Sequence, residues 1–295
     1  MTDAKDNFSG ILWMLAAMAA FALGDVGIKL LAGAMPPGQI MGSLGILGTL
    51  IFGLWTRARG LALLPGAMWH RAVGLRYLAE IVAGFGMVLA LTRVPLSLVT
   101  AVLQAAPLVV AMGAAVFFGE RVGWRRWSAI ALGLGGVLLI LRPGMDGFDP
   151  DTIWAVVAML GLAARDLATR AAPRSLHTLQ LSTFGISALI PCGALLLLFI
   201  GPPVAAALQD WGILLGAILA TIVGYYTITA AMRVGEISAV TPFRYSRLIF
   251  GLILGILIFA ERPDALTYLG AGLILGTGLY SAWRERRLSA HSSRR

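Results

Sequence analysis

The chain has 295 residues, of which 59% are hydrophobic and 13% are charged, whereas a soluble domain usually has about 25% charged residues. Its apolar residues come in blocks of about 20, which is the length that spans a hydrocarbon core. This pattern predicts an all-α polytopic membrane protein and excludes a β-barrel, whose strands alternate apolar and polar residues. The net charge of +9 does not indicate a nucleic-acid partner, because the basic residues occupy short loops and the tail.

Ten transmembrane helices are predicted. The first apolar segment is too long for a signal-peptide core, so we expect it to remain as the first helix. The single cysteine, Cys192, lies in an apolar run and excludes an intrachain disulfide. The ten spans cover about residues 8–32, 38–56, 71–91, 95–118, 124–141, 151–170, 178–200, 209–232, 237–259 and 265–283.

The distribution of basic residues predicts the orientation. With the N-terminus inside, the inner loops and tails carry most of the 23 lysines and arginines. By the positive-inside rule, both termini are therefore predicted to be cytoplasmic, in the inner membrane of a bacterium. The basic cytoplasmic tail, residues 285–295, is most simply a topology anchor against membrane lipids, with specific lipid binding as the alternative.

The chain contains an internal repeat. Asp25 and Asp166 lie 141 positions apart, and at the same offset the segment from Ser97 to Arg121 matches that from Ser238 to Arg262. We divide the chain into a first five-helix repeat, 1–142, and a second, 143–284. Five is an odd number, so the second repeat must enter the membrane from the opposite side. An inverted repeat of this kind is typical of secondary transporters, which bind substrate near the bilayer midplane.

Two short motifs end the fourth and ninth spans. They are Phe-Phe-Gly-Glu-Arg at Phe117–Arg121 and Ile-Phe-Ala-Glu-Arg-Pro at Ile258–Pro263. With these motifs, each followed by a Gly-rich helix, the chain resembles the EamA-type transporters of the drug/metabolite transporter superfamily. The resemblance implies ten helices around a central cavity that works by alternating access. Members of that family include exporters of amino acids, aromatic ones among them, and carriers of riboflavin and S-adenosylmethionine.

Four polar side chains are predicted to lie at a similar depth in the membrane. Counting 1.5 Å per residue from the predicted helix ends places Glu80, Gln104, Arg244 and Arg247 near one layer. Ionisable groups inside a membrane are costly and by default mark a pathway. Our hypothesis is that these residues bind the ammonium and carboxylate of an amino acid. The alternative is a structural pair between Glu80 and an arginine, for which Arg76 is also suitably spaced.

Three tyrosines are further candidates for substrate binding. Tyr77 shares a helix face with Glu80, Tyr225 occupies the eighth span, and Tyr245 neighbours Arg244. They could stack on a planar or aromatic substrate. For each tyrosine taken alone, ordinary packing is the alternative.

Repeated charge pairs and two prolines are candidate gating or structural elements. Asp25 with Lys29, and Asp166 with Arg170, have i,i+4 spacing near the far ends of spans one and six, where they could form gates or helix-end ion pairs. Pro107 and Pro242 interrupt spans four and nine and permit bending.

Two GxxxG pairs are predicted to pack helices closely. They are Gly251 with Gly255 and Gly272 with Gly276. In a bundle of ten helices we expect internal packing from them rather than dimerisation, and we expect a monomer.

The sequence offers no catalytic, cofactor or metal constellation. There is no Walker motif, and the three histidines lie near loops or the tail. We therefore predict a secondary transporter that exports small metabolites, with amino acids, aromatic ones included, as the leading substrates. The alternatives are an uptake carrier for a cofactor such as riboflavin or S-adenosylmethionine and, from another class, a membrane scaffold or sensor without flux. An enzyme is disfavoured.

Overall fold

The computed structural model describes residues 4–119, 123–144, 148–173, 175–234 and 240–292. Within these residues, nine helices are long and apolar enough to cross a membrane, and Ala265–Ser281 forms a shorter apolar helix at the tenth predicted span. The predicted all-α membrane fold is therefore confirmed. The α-helices are α1 Ala4–Leu30, α2 Pro37–Ala58, α3 Arg71–Arg93, α4 Leu96–Leu103, α5 Ala106–Phe118, α6 Trp124–Leu141, α7 Ile153–Ala171, α8 Thr178–Ser187, α9 Leu189–Phe199, α10 Leu208–Val234, α11 Ser246–Phe259 and α12 Ala265–Ser292.

Proline divides two of the predicted spans into two α-helices each, and a third contains a 3₁₀ segment. Span four breaks between α4 and α5 just before Pro107, where Gln104 and Ala105 make i→i−3 backbone hydrogen bonds. Span seven breaks at Ala188, three residues before Pro191. In the described part of span nine, a 3₁₀ helix, Thr241–Tyr245, contains Pro242 and precedes α11. Because proline lacks an N–H and clashes with the carbonyl of residue i−4, the break falls on its N-terminal side. The interruptions predicted at Pro107 and Pro242 are present, whereas the one at Pro191 was not predicted.

The helices pack into two compact units, and each unit takes segments from both halves of the chain. The first unit consists of Met1–Val26, Pro95–Asp149 and Leu219–Arg295. In it α4 packs on α11, α6 packs on α12, and the core of α1 around Met14 packs against Ala231 of α10. Helices α4 and α6 are the counterparts of α11 and α12 in the repeat, so equivalent helices pack against each other.

The second unit consists of Gly27–Val94 and Pro150–Ile218. In it α3 packs along α7, and α2 packs on α8 and α9, its counterparts in the repeat. Pairing of equivalent helices within a unit is what a two-fold relation between the repeats predicts. The residue boundary that we drew between the two repeats remains a prediction.

Glycines let α6 and α12 approach closely. A Cβ atom built on Gly136 would lie 2.7 Å from the carbonyl oxygen of Gly270, whereas one built on Gly135 would meet no described atom within 4 Å. The packing predicted for Gly251 and Gly255 is present, since both are buried on α11. For Gly272 and Gly276 it is wrong, because a Cβ at either position would meet no described atom within 4 Å.

These neighbouring glycines provide a matched test of helix packing. Gly136→Ala is expected to lower the melting temperature in detergent, because overpacking typically costs about 1–3 kcal/mol. Gly135→Ala introduces the same methyl group one residue away, on a face with space for it, and is expected to leave the melting temperature unchanged or slightly raised. Equal melting temperatures for the two variants would contradict this account of the α6–α12 contact.

The glutamate of the second motif caps a neighbouring helix. Glu261 accepts hydrogen bonds from the backbone N–H groups of Leu96, at 2.6 Å, and of Ser97, at 2.9 Å. These N–H groups open α4 and have no acceptor within their own helix. A carboxylate is well suited to this position, where it also meets the positive end of the helix dipole. The corresponding residues of the first motif, Glu120 and Arg121, lie outside the described residues.

Asp264 caps α12 and anchors the end of α6. It accepts hydrogen bonds from the Thr267 hydroxyl, at 2.7 Å, and from the Thr267 backbone N–H, at 3.0 Å, and it forms an ion pair with Arg142. The bonds from Thr267, with a smaller contribution from the Arg142 guanidinium, hold the pKa of the Asp264 carboxyl below its ordinary value. The ionised form is therefore the one that stabilises the fold.

This depressed pKa predicts how stability depends on pH. The contribution of Asp264 is complete above the pKa of the unfolded chain, about 4, and is lost as the pH falls through the lower folded-state value. Asp264→Asn is therefore expected to lower the melting temperature at pH 6 and to change it much less at pH 3. A difference between wild type and variant that stays constant from pH 6 to pH 3 would contradict the assignment.

Candidate functional site

A buried ion pair lies inside the first unit. Arg247, in the first turn of α11, donates a hydrogen bond from Nη2 to Asp25 Oδ2 on α1, at 2.7 Å. The Arg247 side chain is 16% exposed and that of Asp25 is 7% exposed. Two charges so far from water stabilise the fold only as a pair, because removing one partner leaves the other buried and uncompensated.

The guanidinium of Arg247 has hydrogen-bonding capacity that the protein does not use. Its carbon lies 5.4 Å from the centre of the Phe21 ring, which gives a cation–π contact. Its buried Nε has no hydrogen-bond acceptor within the part of the chain that the structure describes. Buried donors are nearly always satisfied, and an exception calls for an explanation such as a ligand. Arg247 Nε can therefore donate one more hydrogen bond to an oxygen atom.

Arg244 lies one turn before Arg247 and is half-buried. Its guanidinium makes no hydrogen bond or ion pair with any described residue. Its backbone carbonyl accepts a hydrogen bond of 3.1 Å from Gln104 Nε2. Gln104 therefore uses one of its two amide N–H groups to bind the backbone of the 3₁₀ helix, and this bond holds the 3₁₀ helix beside the end of α4.

Two edge-to-face aromatic pairs join α1 and α10, and one of them contains Phe21. Its ring meets that of Tyr225 edge to face, at 5.5 Å between centroids, and Trp13 meets Tyr226 in the same way at 6.4 Å. Gly224 makes room for this contact, since a Cβ there would lie 2.8 Å from the Phe21 ring. Phe21 therefore lies in contact with both Tyr225 and Arg247, and it links Tyr225 to the Asp25–Arg247 pair. Tyr245, by contrast, is buried and packs against Gly278 of α12, which corresponds to the packing alternative.

A separate charge network lies inside the second unit. Glu80 of α3 has Arg76 at 3.8 Å and Arg165 of α7 at 3.5 Å, and Arg165 also binds Asp166 at 2.8 Å. Arg76 is held in place by Thr169 Oγ1 and by the carbonyl of Leu181, each at 2.9 Å. The two arginines balance the two acids, and the network joins α3, α7 and α8. Arg76, the alternative partner predicted for Glu80, is therefore in place.

One oxygen of Glu80 lies 3.8 Å from Arg76 Nη2 and makes no hydrogen bond to a described residue. Glu80 Oε2 is buried and has no hydrogen-bond donor among the described residues. Because Glu80 lies in the second unit and Arg244 and Arg247 lie in the first, our hypothesis that the three residues share one layer stays a prediction.

Tyr77 binds the backbone at the break in span seven. Its hydroxyl lies 3.4 Å from the carbonyl of Ser187, and its ring is 4.6 Å from that of Phe184. This carbonyl lies four residues before Pro191, so no helical N–H is available to it. Tyr77 therefore provides a hydrogen-bond donor for a carbonyl that the break in the helix leaves without one, which is a structural role.

The repeated charge pairs have different surroundings in the two halves. Lys29 donates to the carbonyls of Val94, at 2.6 Å, and Leu91, at 3.5 Å, at the end of α3. The negative end of the helix dipole stabilises a cation at this position. In the second half, Asp166 binds the neighbouring Arg165, and Arg170 is exposed. These contacts favour the helix-end alternative for Lys29, and gating by either pair stays a prediction.

Sequence reasoning missed three parts of the site. It did not pair Asp25 with Arg247, and it did not single out Arg165 or Phe21. A usable signal was present for Asp25, because a carboxylate within an apolar span needs a cation nearby. Lys29 is the nearest basic residue in the sequence, but the arginines within other predicted spans, Arg247 among them, were also candidates. Nothing in the sequence pointed to Phe21.

The arrangement defines a class of protein. Apolar helices in two related sets, with charges buried among them, are the architecture of a multi-pass membrane protein. Comparison with protein families then gives the particular family. The model of the EamA-like transporter family matches residues 8–142 and 151–281. The chain therefore belongs to the EamA-like transporter family, within the drug/metabolite transporter superfamily, and is a small-molecule transporter of a bacterial membrane.

Named relatives transport different compounds. The chain is 31% identical to a riboflavin transporter of Rhizobium johnstonii, over 72% of this chain and 71% of the relative. It is 27% identical to the pseudopaline exporter CntI of Pseudomonas aeruginosa, over 90% and 93%, and 25% identical to an S-adenosylmethionine uptake transporter of Rickettsia felis, over 97% of each. A solved crystal structure, 19% identical, matches the fold with a TM-score of 0.61 over 95% of this chain and 98% of that one.

Proposed function

We propose that this transporter exports amino acids or closely related metabolites, aromatic ones included, and that Arg247 binds the substrate carboxylate. The observation that carries the proposal is the buried Nε of Arg247, which has no acceptor among the described residues. Guanidinium groups bind carboxylates through two parallel hydrogen bonds. Arg244, one turn away and without an ion pair among the described residues, could supply further donors.

Charge balance explains why a zwitterion suits this site. Asp25 compensates the charge of Arg247 through their ion pair. An amino acid brings one carboxylate for Arg247 and one ammonium for Asp25, so the buried charges stay balanced when it binds. A simple anion would compete with Asp25 and leave that carboxylate buried without a partner, which is costly.

Alternating access would then move the bound substrate across the membrane. In inverted-repeat carriers, one repeat or bundle rocks against the other around a fixed site. The breaks before Pro107, Pro191 and Pro242 are points at which helices could bend, and we propose Pro107 and Pro242 as hinges. Export as the direction is supported by the pseudopaline exporter among the relatives.

The second candidate function is uptake of a larger cofactor such as riboflavin or S-adenosylmethionine. It is favoured by the names of two relatives and by the aromatic pairs Phe21–Tyr225 and Trp13–Tyr226 between α1 and α10. In this case the planar ring system of the substrate would stack on aromatic residues, and Tyr225 would be among them.

Flux in proteoliposomes tests the two candidates. The purified protein would be reconstituted with a labelled neutral amino acid, and aromatic amino acids, methionine, threonine, riboflavin and S-adenosylmethionine would be added as competitors. Flux that amino acids alone inhibit would support the proposal. No amino-acid flux, together with flux of labelled riboflavin or S-adenosylmethionine, would support the second candidate. No flux of any of them would contradict both candidate functions.

A further inference from the structure

A groove lies between α6 and α12 in the first unit. It has a volume of about 420 Å³ and is lined in part by Trp124, Arg125, Ser128, Gly276, Thr277 and Tyr280. None of these residues belongs to the site of Arg247 and Asp25. We propose that this groove, called the α6–α12 groove below, binds an anionic phospholipid of the surrounding membrane.

The two ends of the groove differ in polarity. At one end the Arg125 guanidinium lies 5.4 Å from the centre of the Trp124 ring, and Tyr280 adds a hydroxyl group. The Ser128 hydroxyl donates to the Trp124 carbonyl, at 3.1 Å. Towards the other end the lining is apolar, with Leu132. A phospholipid has the same division, since a charged headgroup is joined to acyl chains. The polar end would hold the phosphate and the apolar end the first part of a chain.

The lining residues are turned towards lipid. Trp124 is 73% exposed and Leu132 is 58% exposed, and exposed apolar side chains on a membrane helix face the bilayer. Tryptophan and tyrosine are enriched where the hydrocarbon core meets the headgroups, so Trp124 and Tyr280 indicate headgroup depth. The missing side chain of Gly276, where a Cβ would meet no described atom within 4 Å, leaves a trough for an acyl chain.

Charge selects an anionic lipid over a zwitterionic one. Among the described residues, the lining contains one basic residue, Arg125, and no acidic one. In the sequence, Tyr280 is followed by Arg284, Arg286 and Arg287, with Glu285 as the one acid among them. Basic pockets between transmembrane helices on the cytoplasmic side bind anionic headgroups. The orientation predicted from the loops places this end of α6 and α12 on that side.

Native mass spectrometry of the purified protein with phosphatidylglycerol or phosphatidylcholine tests the proposal. Wild type is expected to retain phosphatidylglycerol in preference to phosphatidylcholine. Arg125→Gln is expected to lower phosphatidylglycerol retention about fivefold, which corresponds to one arginine near an anionic surface. Arg59→Gln removes another exposed arginine, outside the groove, and is expected to have little effect. Equal losses in the two variants, or equal retention of the two lipids by wild type, would overturn the proposal.

A second pair of variants tests the trough and does not depend on charge. Gly276→Leu places a side chain in the groove and is expected to lower phosphatidylglycerol retention. Gly272→Leu is the control, because it is one turn away on the same helix, also has open space and does not line the groove. Both variants are expected to keep the wild-type melting temperature. Unchanged retention in Gly276→Leu would overturn the assignment of the acyl chain to this groove.

Discussion

Transport of a labelled amino acid is expected to fall to background in Arg247→Gln, and the melting temperature of this variant is expected to fall as well. The loss of transport follows from removing the proposed carboxylate ligand. The loss of stability follows from leaving Asp25, which is 7% exposed, without its cation, a change that costs about 3–5 kcal/mol when a buried pair is broken. Flux assays in proteoliposomes and thermal unfolding in detergent measure the two effects separately.

A double variant separates binding from folding. Asp25→Asn combined with Arg247→Gln removes both charges, so it is expected to recover most of the lost stability while transport stays at background. Arg244→Gln is the complementary control. Because Arg244 has no ion pair among the described residues, its loss is expected to raise KM without lowering the melting temperature. Wild-type kinetics in both single arginine variants and in the variant that lacks both arginines would exclude a carboxylate role for them.

The second large effect is expected at Glu80. Glu80→Gln removes one of the two acids that pair with Arg76 and Arg165 and is expected to lower the free energy of unfolding by about 3–5 kcal/mol. In double-mutant cycles, Glu80→Gln with Arg76→Gln and Glu80→Gln with Arg165→Gln are expected to be non-additive by about 0.5–3 kcal/mol, as for residues in direct contact.

The control for this network is another arginine of the same helix. Arg71 begins α3 and is exposed, two and a half turns before Glu80. The cycle of Glu80→Gln with Arg71→Gln is expected to be additive within about 0.5 kcal/mol. Additivity in the cycles with Arg76 and Arg165 would show that Glu80 is not paired with them. Retained stability with lost flux in Glu80→Gln would instead assign Glu80 to the substrate.

The sequence predicts the fold well because local patterns specify it. Hydrophobic blocks locate the spans, and the steric effect of proline locates the break before Pro107. The break at Ala188 follows from the same rule applied to Pro191, a residue that our sequence analysis did not consider. The glycine faces were harder to assign. GxxxG spacing alone does not reveal whether Gly272 and Gly276 face a neighbouring helix, since this depends on how α12 is rotated.

The site was less predictable because its partners are far apart in the sequence. Helical spacing suggested Lys29 for Asp25, four residues away, yet Asp25 binds Arg247, which follows it by 222 positions. Lys29 instead binds carbonyls at the end of α3, and helical spacing cannot reveal acceptors on another helix. The local pair of Arg76 and Glu80, by contrast, was predictable from i,i+4 spacing. Arg165 joins it only through the packing of α7 on α3.

The most direct test of the central claim compares two competitors of labelled phenylalanine flux in wild-type proteoliposomes: unlabelled phenylalanine and phenethylamine, the same molecule without its carboxylate. If Arg247 binds the carboxylate, the amine is expected to compete about 10 to 100 times more weakly. This factor corresponds to the loss of hydrogen bonds to a charged group. Equal competition by the two compounds would contradict the claim that a guanidinium recognises the substrate.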